Sequence, residues 1–309
     1  MKKRVAIILV NWNSFDVTND CILSIKKTVF SFYSIIVVDN GSTDGSADRL
    51  ATLYPEMVFI CSATNLGFTG GNNLGFRYSI ENGFEYSILL NNDTFVEPDF
   101  LIHLVKHMDE NPTVGIIQPR IHFNHNREKL WNGGSFYNKW LGYFYTSGFN
   151  RLPGPKYLTI KNVDWVTGCA FFTRNSILKQ TGLLADNMFI YSEDVDLSLR
   201  IAALGYKLVY YPTSVIYHIA GMSNKSIVKV KEGFVNPVVH YLNQRNRIWV
   251  IKKYTPWFCI PTALLFNFFY IAAIMGYFAV RGRFTKLKAV SKALQDGLKG
   301  SIENTSKLW

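Results

Sequence analysis

Cysteine is scarce and scattered. The four residues, Cys21, Cys61, Cys169 and Cys259, show neither metal-ligand nor redox spacing. They are expected to be reduced, buried thiols of a cytosolic protein, which excludes a disulfide scaffold. Acidic residues are outnumbered, 22 against 33 basic ones, giving a net charge of +11. That imbalance points to an anionic partner: nucleic acid, anionic lipid or a diphosphate-bearing substrate. The chain lacks a P-loop and a dinucleotide fingerprint; the glycine-rich run at 67–71 has the spacing of neither. His103 and His107 stand four apart on an expected helix, 98–111, but Leu104 sits where a metalloprotease motif needs Glu, and no third ligand is evident. They are read as surface histidines. The first ten residues, MKKRVAIILV, imitate a signal peptide, yet the apolar run is short and no small-residue cleavage site follows. They read as a first strand.

What is present is apolar substance and alternation. Hydrophobic residues make up 48% of 309, enough for one large domain plus an appendage. Buried strands are expected at 4–10, 34–38 and 57–61, each followed by a polar or glycine-rich loop and then a helical pattern. Alternation of this kind argues for a parallel sheet built from βαβ units. The organising stretch is 87–98, SILLNNDTFVEP. An apolar run there ends abruptly in Asn91-Asn92-Asp93, so a strand buried on both faces delivers its polar end to the sheet edge. Ligands of open α/β sheets sit beyond that edge. A carboxylate there can hold a divalent cation, and the cation a diphosphate.

Further strands are expected at 114–119, 164–172, 208–211 and 215–218. Between 122 and 157 the chain is rich in Asn, Gly and aromatics with little periodicity, and reads as a long irregular stretch. The run MFIYSEDVDLSLR places Glu193, Asp194 and Asp196 at the start of an amphipathic helix, 195–204. The helix dipole accounts for one or two of these acids. The apolar approach favours a partly buried carboxylate, the environment that makes a general base. His218 leads into a loop containing Gly221 and Ser223.

Taken together, IILVNWNS, IIVVDNGSTDGS, NLGFTGGNN, LLNNDTFVEPDFL, WVTGCAFF and MFIYSEDVDLSLR resemble family 2 glycosyltransferases, and more narrowly the bacterial rhamnosyltransferase-like members that build cell-surface polysaccharides. The resemblance runs from Arg4 to about Tyr254. It implies a GT-A fold, a Rossmann-like mixed sheet flanked by helices, and a catalytic domain over 1–225, with a nucleotide half at 1–97 and an acceptor half at 98–225. The apolar run near the carboxyl end adds the expectation of a C-terminal hydrophobic helical extension, a membrane-associating region at 226–309. By resemblance, Val10, Asn11, Asn13, Asp39, Asn65, Gly71, Asn92 and Asp93 belong to the nucleotide-sugar site. Asp93 matches the last acid of the family's DxD metal motif, while Asn91 puts a neutral oxygen at the first. His218 matches a histidine that completes the metal site in some relatives. Asp194 matches the base, with Glu193 beside it. The implied cofactor is Mg²⁺ or Mn²⁺. The implied partners are a dTDP- or UDP-linked sugar and a polyprenyl-diphosphate-linked glycan, with no nucleic acid. Residues 244–249, QRNRIW, are similar to the QxxRW of processive synthases, with the Trp one place late. A catalytically inactive nucleotide-sugar or glycan-binding protein on the same fold is the alternative.

At the carboxyl end, Lys252 and Lys253 precede an uncharged run, 254–280, and Arg281, Arg283, Lys286 and Lys288 follow it. The run is long enough to span a bilayer. Both flanks are basic, and Pro256, Pro261 and Asn267 interrupt it, so a bent or monotopic insertion on the cytoplasmic face of the membrane is expected. Residues 284–298 continue as a basic amphipathic helix.

Overall fold

The first strand decides the layering. In β1 (Val5–Asn11), Val5, Ile7 and Leu9 join a core with Cys21, Ile22 and Ile25, while Ala6 and Ile8 join a second core with Phe76 on the opposite face. A strand apolar on both faces must be covered on both, and each fully buried Ile or Leu contributes about 1.5–3 kcal/mol. The computed structural model describes residues 3–220, 225–230 and 232–303. The chain continues through α1 (Phe15–Ile25), β2 (Tyr33–Asp39), α2 (Ser46–Leu53), β3 (Val58–Cys61), α3 (Gly67–Glu81) and β4 (Tyr86–Leu90). It then forms β5 (Thr94–Val96), α4 (Phe100–Glu110), β6 (Val114–Phe123), β7 (Leu130–Asn132), β8 (Ser135–Asn138), β9 (Tyr143–Thr146), β10 (Lys161–Asn162) and β11 (Ala170–Arg174). After α5 (Asn175–Thr181), α6 (Glu193–Ala203) and β12 (Lys207–His218) come β13 (Lys225–Val230), β14 (Gly233–Val235), α7 (Pro237–Tyr254), α8 (Ile260–Val280) and α9 (Phe284–Lys299).

The main sheet runs β10-β12-β6-β11-β4-β1-β2-β3, with β5 and β7 attached at one side. β1 pairs in parallel with both β2 and β4. The chain therefore winds outward from β1 through β2 to β3 and returns to β4 on the other side of β1. That reversal is a topological switch point, where a crevice opens at the carboxyl edge. β11 then enters antiparallel to β4 and β6, making the sheet mixed. This is the GT-A arrangement, with one apolar helix at the carboxyl end.

Several local expectations change. The strand expected from 164 begins only at Ala170. The amides before it are taken by side chains of α6: Val166 N–H donates to Ser198 Oγ at 3.0 Å and Gly168 N–H to Asp194 Oδ2 at 2.8 Å. The two strands expected at 208–211 and 215–218 are one, β12, with a register shift between Tyr211 and Val215. The stretch read as irregular contains the hairpin β8–β9, where Tyr137 stacks on Phe144 at 4.1 Å between ring centroids. Cross-strand aromatic pairs of this kind stabilise a hairpin without an alternating pattern to announce it. Cys61 is exposed, because β3 is the sheet edge; the other three thiols are buried. Gly221 and Ser223 lie outside the described residues.

The uncharged run is broken at Thr255 and Pro256, both non-helical between α7 and the turn that leads into α8, but not at Pro261 or Asn267. Pro261 sits in the first turn of α8, where its missing N–H is harmless. Asn267 lies inside the helix and is held there: its amide donates to Ala263 O at 2.7 Å and to Leu141 O of the β8–β9 turn at 2.9 Å. The helical stretch Trp257–Val280 has a mean hydropathy of 1.9, and only 22% of its most apolar window is buried. Its basic flanks are partly engaged inward. Lys253 pairs with Asp196 at 2.9 Å, Lys252 donates to Leu298 O at 2.7 Å near the end of α9, and Lys286 is buried. Arg281 and Lys288 remain exposed.

Candidate functional site

The carboxyl ends of β1 and β2 are in register, Asn11 opposite Asp39. Asn11 is fully buried and its side chain is saturated: Nδ2 donates to Asp39 Oδ1 at 2.9 Å and to Ser46 Oγ at 2.8 Å, and Oδ1 accepts from Thr18 Oγ1 at 2.9 Å. Asp39 Oδ2 accepts the Ser42 N–H at 3.0 Å. Each carboxylate oxygen of Asp39 therefore keeps a lone pair beyond its protein partner. Asn13, exposed and with φ 50°, braces the same loop by accepting the Thr43 N–H at 2.8 Å.

The glycine-rich loop is held by a residue that spacing alone did not single out. Asn40 donates to Asn65 Oδ1 and to Gly67 O, both at 3.0 Å, and accepts the Leu66 N–H at 2.9 Å. Gly71 packs beneath Val10; a Cβ there would lie 3.0 Å from Val10 Cγ1. Asn92 joins the two sides of the switch point, donating to Thr18 Oγ1 at 2.8 Å.

Asp93 and His218 come together from positions 125 residues apart. The antiparallel pairing of β5 with β12 sets His218 opposite Thr94. His218 Nε2 lies 3.0 Å from Asp93 Oδ1, both residues are buried, and His218 Nδ1 has no partner among the described residues. One carboxylate and one imidazole form a donor set that suits Mn²⁺. Among the described residues no third His, Cys, Asp or Glu joins them. An ion held by this pair would take its other ligands from substrate oxygens and water, as Mg²⁺ commonly does beside phosphates. The residues present fit such a group.

The three acids of α6 have different surroundings. Asp196 is fully buried and paired with Arg200 and Lys253, each at 2.9 Å. Against the penalty of burial, Arg200, Tyr254 and Lys253 hold its carboxyl below the ordinary value. Glu193 and Asp194 have no ion pair among the described residues. Burial pushes the Glu193 carboxyl well above its usual range, and the Asp194 charge adds to this; Glu193 Oε2 has no hydrogen-bond partner among the described residues. Burial raises Asp194 too, opposed by N–H groups of Gly168 and Val195, each donating at 2.8 Å. The charged form of Asp194 is stabilised by backbone N–H groups on both its oxygens, whereas Glu193 leaves Oε2 unpaired among the described residues.

The two carboxylate centres share one short piece of backbone. Asn91 N–H donates to Cys169 O at 2.9 Å, and the preceding residue, Gly168, donates to Asp194. The family model described as glycosyl transferase family 2 matches residues 6–180. The chain belongs to that family. This glycosyltransferase is 26% identical over 208 residues to the N-acetylglucosaminyl-diphospho-decaprenol L-rhamnosyltransferase of Mycobacterium tuberculosis, covering 60% of this chain and 66% of that one. It is 28% identical over 197 residues to the low-salt glycan biosynthesis hexosyltransferase Agl10 of Haloferax volcanii, covering 63% and 61%. The matches thus take in less than two thirds of either relative. In fold it is similar to the mannosyltransferase PcManGT of Pyrobaculum calidifontis, solved with GDP-Man and Mn²⁺: TM-score 0.55, 15% identity, covering 96% of this chain and 88% of that one.

The glycosyltransferase's acid pair is approached through a strained turn. Phe189, Tyr191 and Ser192 all have positive φ, between 65° and 76°. Such conformations are costly for residues with side chains and persist only when their surroundings enforce them. Here α7 does so: Asn246 Nδ2 lies within 2.9 Å of the carbonyls of Met188, Ile190 and Tyr191. From the other side, Thr69 N–H donates to Phe189 O at 3.1 Å. Gly67, with φ +74°, admits the Phe189 ring; a Cβ there would lie 2.5 Å from it. The sequence signal for Asn246 is its place in the QRNRIW stretch, although nothing local links that stretch to 188–191.

Proposed function

We propose that this glycosyltransferase moves a hexosyl unit, rhamnose being the leading candidate, from a dTDP- or UDP-linked sugar to a hydroxyl of a polyprenyl-diphosphate-linked glycan, with inversion. The observation that carries the reading is the continuous backbone link between Asn91-Asn92-Asp93 and Asp194 through Gly168 and Cys169. It ties a cation-holding pair to an unpaired carboxylate at one edge of one sheet. The M. tuberculosis relative, by its name, acts on a diphospho-decaprenol-linked N-acetylglucosamine.

The protein's own residues perform these tasks. Asn11, Asp39 and Ser42 shape the bay at the ends of β1 and β2 for the base and ribose, and Asp39 offers its free lone pairs there. Asn40 and Asn65 set the loop that closes over the nucleotide. Asp93 and His218 would hold Mg²⁺ or Mn²⁺, which when bound neutralises the departing diphosphate. Asp194 takes the proton of the acceptor hydroxyl, and attack from its side inverts the anomeric carbon. Glu193, its carboxyl pushed up by burial and by the Asp194 charge, contributes to the low-polarity surroundings that make Asp194 a stronger base.

The acceptor would be met at the cytoplasmic face of the membrane, which the chain would touch as a peripheral or monotopic protein. Large apolar side chains of α8 are exposed, Phe268 at 64% and Phe269 at 63%, and exposed Trp140 and Leu141 of the hairpin turn adjoin that helix. An exposed apolar surface of this kind marks an interaction site, and its length suits a lipid interface. The proposed division places the catalytic domain at 1–225 and the membrane-associating region at 226–309.

A donor screen tests the reading. UDP-, dTDP- and GDP-sugars are assayed for hydrolysis and for transfer to a short polyprenyl-diphosphate N-acetylglucosamine, each with and without Mn²⁺. One nucleotide sugar is expected to be consumed with transfer. Tight nucleotide-sugar binding with neither hydrolysis nor transfer would support instead the inactive binding protein, for which Asn91 in place of a carboxylate is the motive.

A further inference from the structure

The carboxyl-terminal helices line a half-open cavity, about 590 Å³, between α7, α8, α9 and the β8–β9 hairpin. Its basic wall is Arg247, Arg283 and Lys286; no Asp or Glu lines it among the described residues, and Lys286 Nζ spends one of its three donors on Glu232 O at 2.9 Å. Three polar atoms of its wall are buried without a hydrogen-bond partner among the described residues: His240 Nε2, Gln244 Oε1 and Arg247 Nη2. Native proteins rarely leave such groups unsatisfied, least of all a guanidinium, and each calls for an explanation. Arg247 is locked in place. Its Nε donates to Asn267 Oδ1 at 2.6 Å, and its guanidinium lies over the rings of Tyr143 and Tyr270, 5.1 and 4.4 Å from their centroids. With Nε anchored, the fork presents its Nη2 edge. That edge suits a planar or tetrahedral oxyanion. The half-buried imidazole of His240 is held below its usual pKa by desolvation and by Lys286 and Arg283, a sign of the positive potential here.

Part of the wall is apolar, from Phe144, Ile274 and Phe278, and Ile274 and Phe278 stand on α8, whose other face exposes Phe268 and Phe269. Ser192, which immediately precedes Glu193 and Asp194, also lines the cavity. We infer that this cavity binds the diphosphate of a prenyl-diphosphate lipid, with Arg247 and Lys286 on the phosphate oxygens and the prenyl chain leaving along α8. A head group held there sets the attached sugar toward Ser192 and the acid pair. The inference rests on the lipid-linked acceptor proposed above, and its test reads binding rather than transfer, so that the two can fail separately.

Farnesyl diphosphate, inorganic pyrophosphate and farnesol are titrated calorimetrically into the full chain in detergent. Farnesyl diphosphate is expected to bind at least tenfold more tightly than either fragment. Arg247→Gln and Lys286→Gln should each weaken it at least tenfold, while Lys299→Gln, at the end of α9 and outside the cavity wall, should change it less than twofold. Ile274→Trp fills the cavity from its apolar side and should block binding without removing a cation. Circular dichroism and thermal melts on every variant establish folding. Equal affinity for farnesol would show that only the chain is read, and equal affinity for pyrophosphate that the site takes free anions; either overturns the proposal. So does unchanged binding in folded Arg247→Gln and Ile274→Trp. Intact, variant-sensitive binding by a protein that transfers no sugar would instead overturn the proposed reaction and leave this site standing.

Discussion

The Gly168 N–H donates to Asp194 Oδ2 at 2.8 Å, so the residue that opens the edge of β11 aims the carboxylate of α6. A Cβ on Gly168 would crowd the Phe68 ring at 3.1 Å and approach Asp194 Cβ at 3.6 Å. Asp194→Asn keeps the shape of the site and removes the proton acceptor. It should leave donor affinity within threefold and lower kcat by about 10²–10⁴-fold, the range general-base catalysis supplies. Calorimetry and transfer assays on one preparation check it.

Glu193 makes stability pH-dependent. Its native pKa lies well above the ordinary 4.5 because of burial and the Asp194 charge. Below 4.5 both folded and unfolded chains hold the proton, and nothing is lost. As pH rises above that, the unfolded chain ionises while the folded one resists, so stability falls until the native pKa is reached. Glu193→Gln should therefore raise Tm at pH 7 relative to the native chain and leave it nearly unchanged at pH 4. Thermal melts across that range decide it; an equal shift at both pH values contradicts the assignment.

Donor binding should depend on a divalent ion through Asp93 and His218. Wild-type affinity for a nucleotide sugar is expected to rise at least tenfold on adding Mn²⁺, and this gain should vanish in Asp93→Ala and in His218→Ala. Titrations with Mn²⁺ and with EDTA measure it. Full transfer activity of Asp93→Ala in EDTA would remove the ion from the mechanism.

Asn246 should matter for folding and for turnover together. Asn246→Ala removes the Nδ2 donor shared by the carbonyls of Met188, Ile190 and Tyr191 in a turn already strained, while Arg245 still reaches Met188 O at 3.2 Å. The loss should be about 1–3 kcal/mol, the penalty for an unsatisfied buried polar group. Denaturant unfolding measures this, and kcat should fall in the fraction that remains folded.

Membrane association can be tested without cutting the chain. Ending it near Lys253 would strip α9 from α7, where Trp249 Nε1–H donates to Asp296 O at 3.3 Å. Instead, Leu265→Gln, Phe268→Gln and Phe269→Gln together remove exposed apolar surface. Each large side chain is worth about 1.5–3 kcal/mol on transfer from water. The native chain should float with anionic liposomes, and the triple variant should not. A native chain that stays soluble at low and high salt would make α8 an assembly helix.

The sequence by itself determined the succession of strands and helices up to Leu90 and the polar ends of β1, β2 and β4. Those depend on local patterning: strands apolar on both faces, each broken by Asn, Asp or Gly. It also brought the acids of α6 into view, because three carboxylates at one helix start exceed what the dipole explains. Tertiary structure decided what distinguishes them. Asp196 is neutralised by Arg200 and by Lys253, the latter 57 residues away, and no local pattern reports that pairing. The same holds for the hairpin β8–β9, stabilised by stacked rings rather than alternation, and for Asn267, whose side chain finds its partners on Leu141 and Ala263. The meeting of His218 with Asp93 rests on the β5–β12 ladder. Periodicity records which face of an element is buried; it carries no record of which distant backbone group or charge that face will meet.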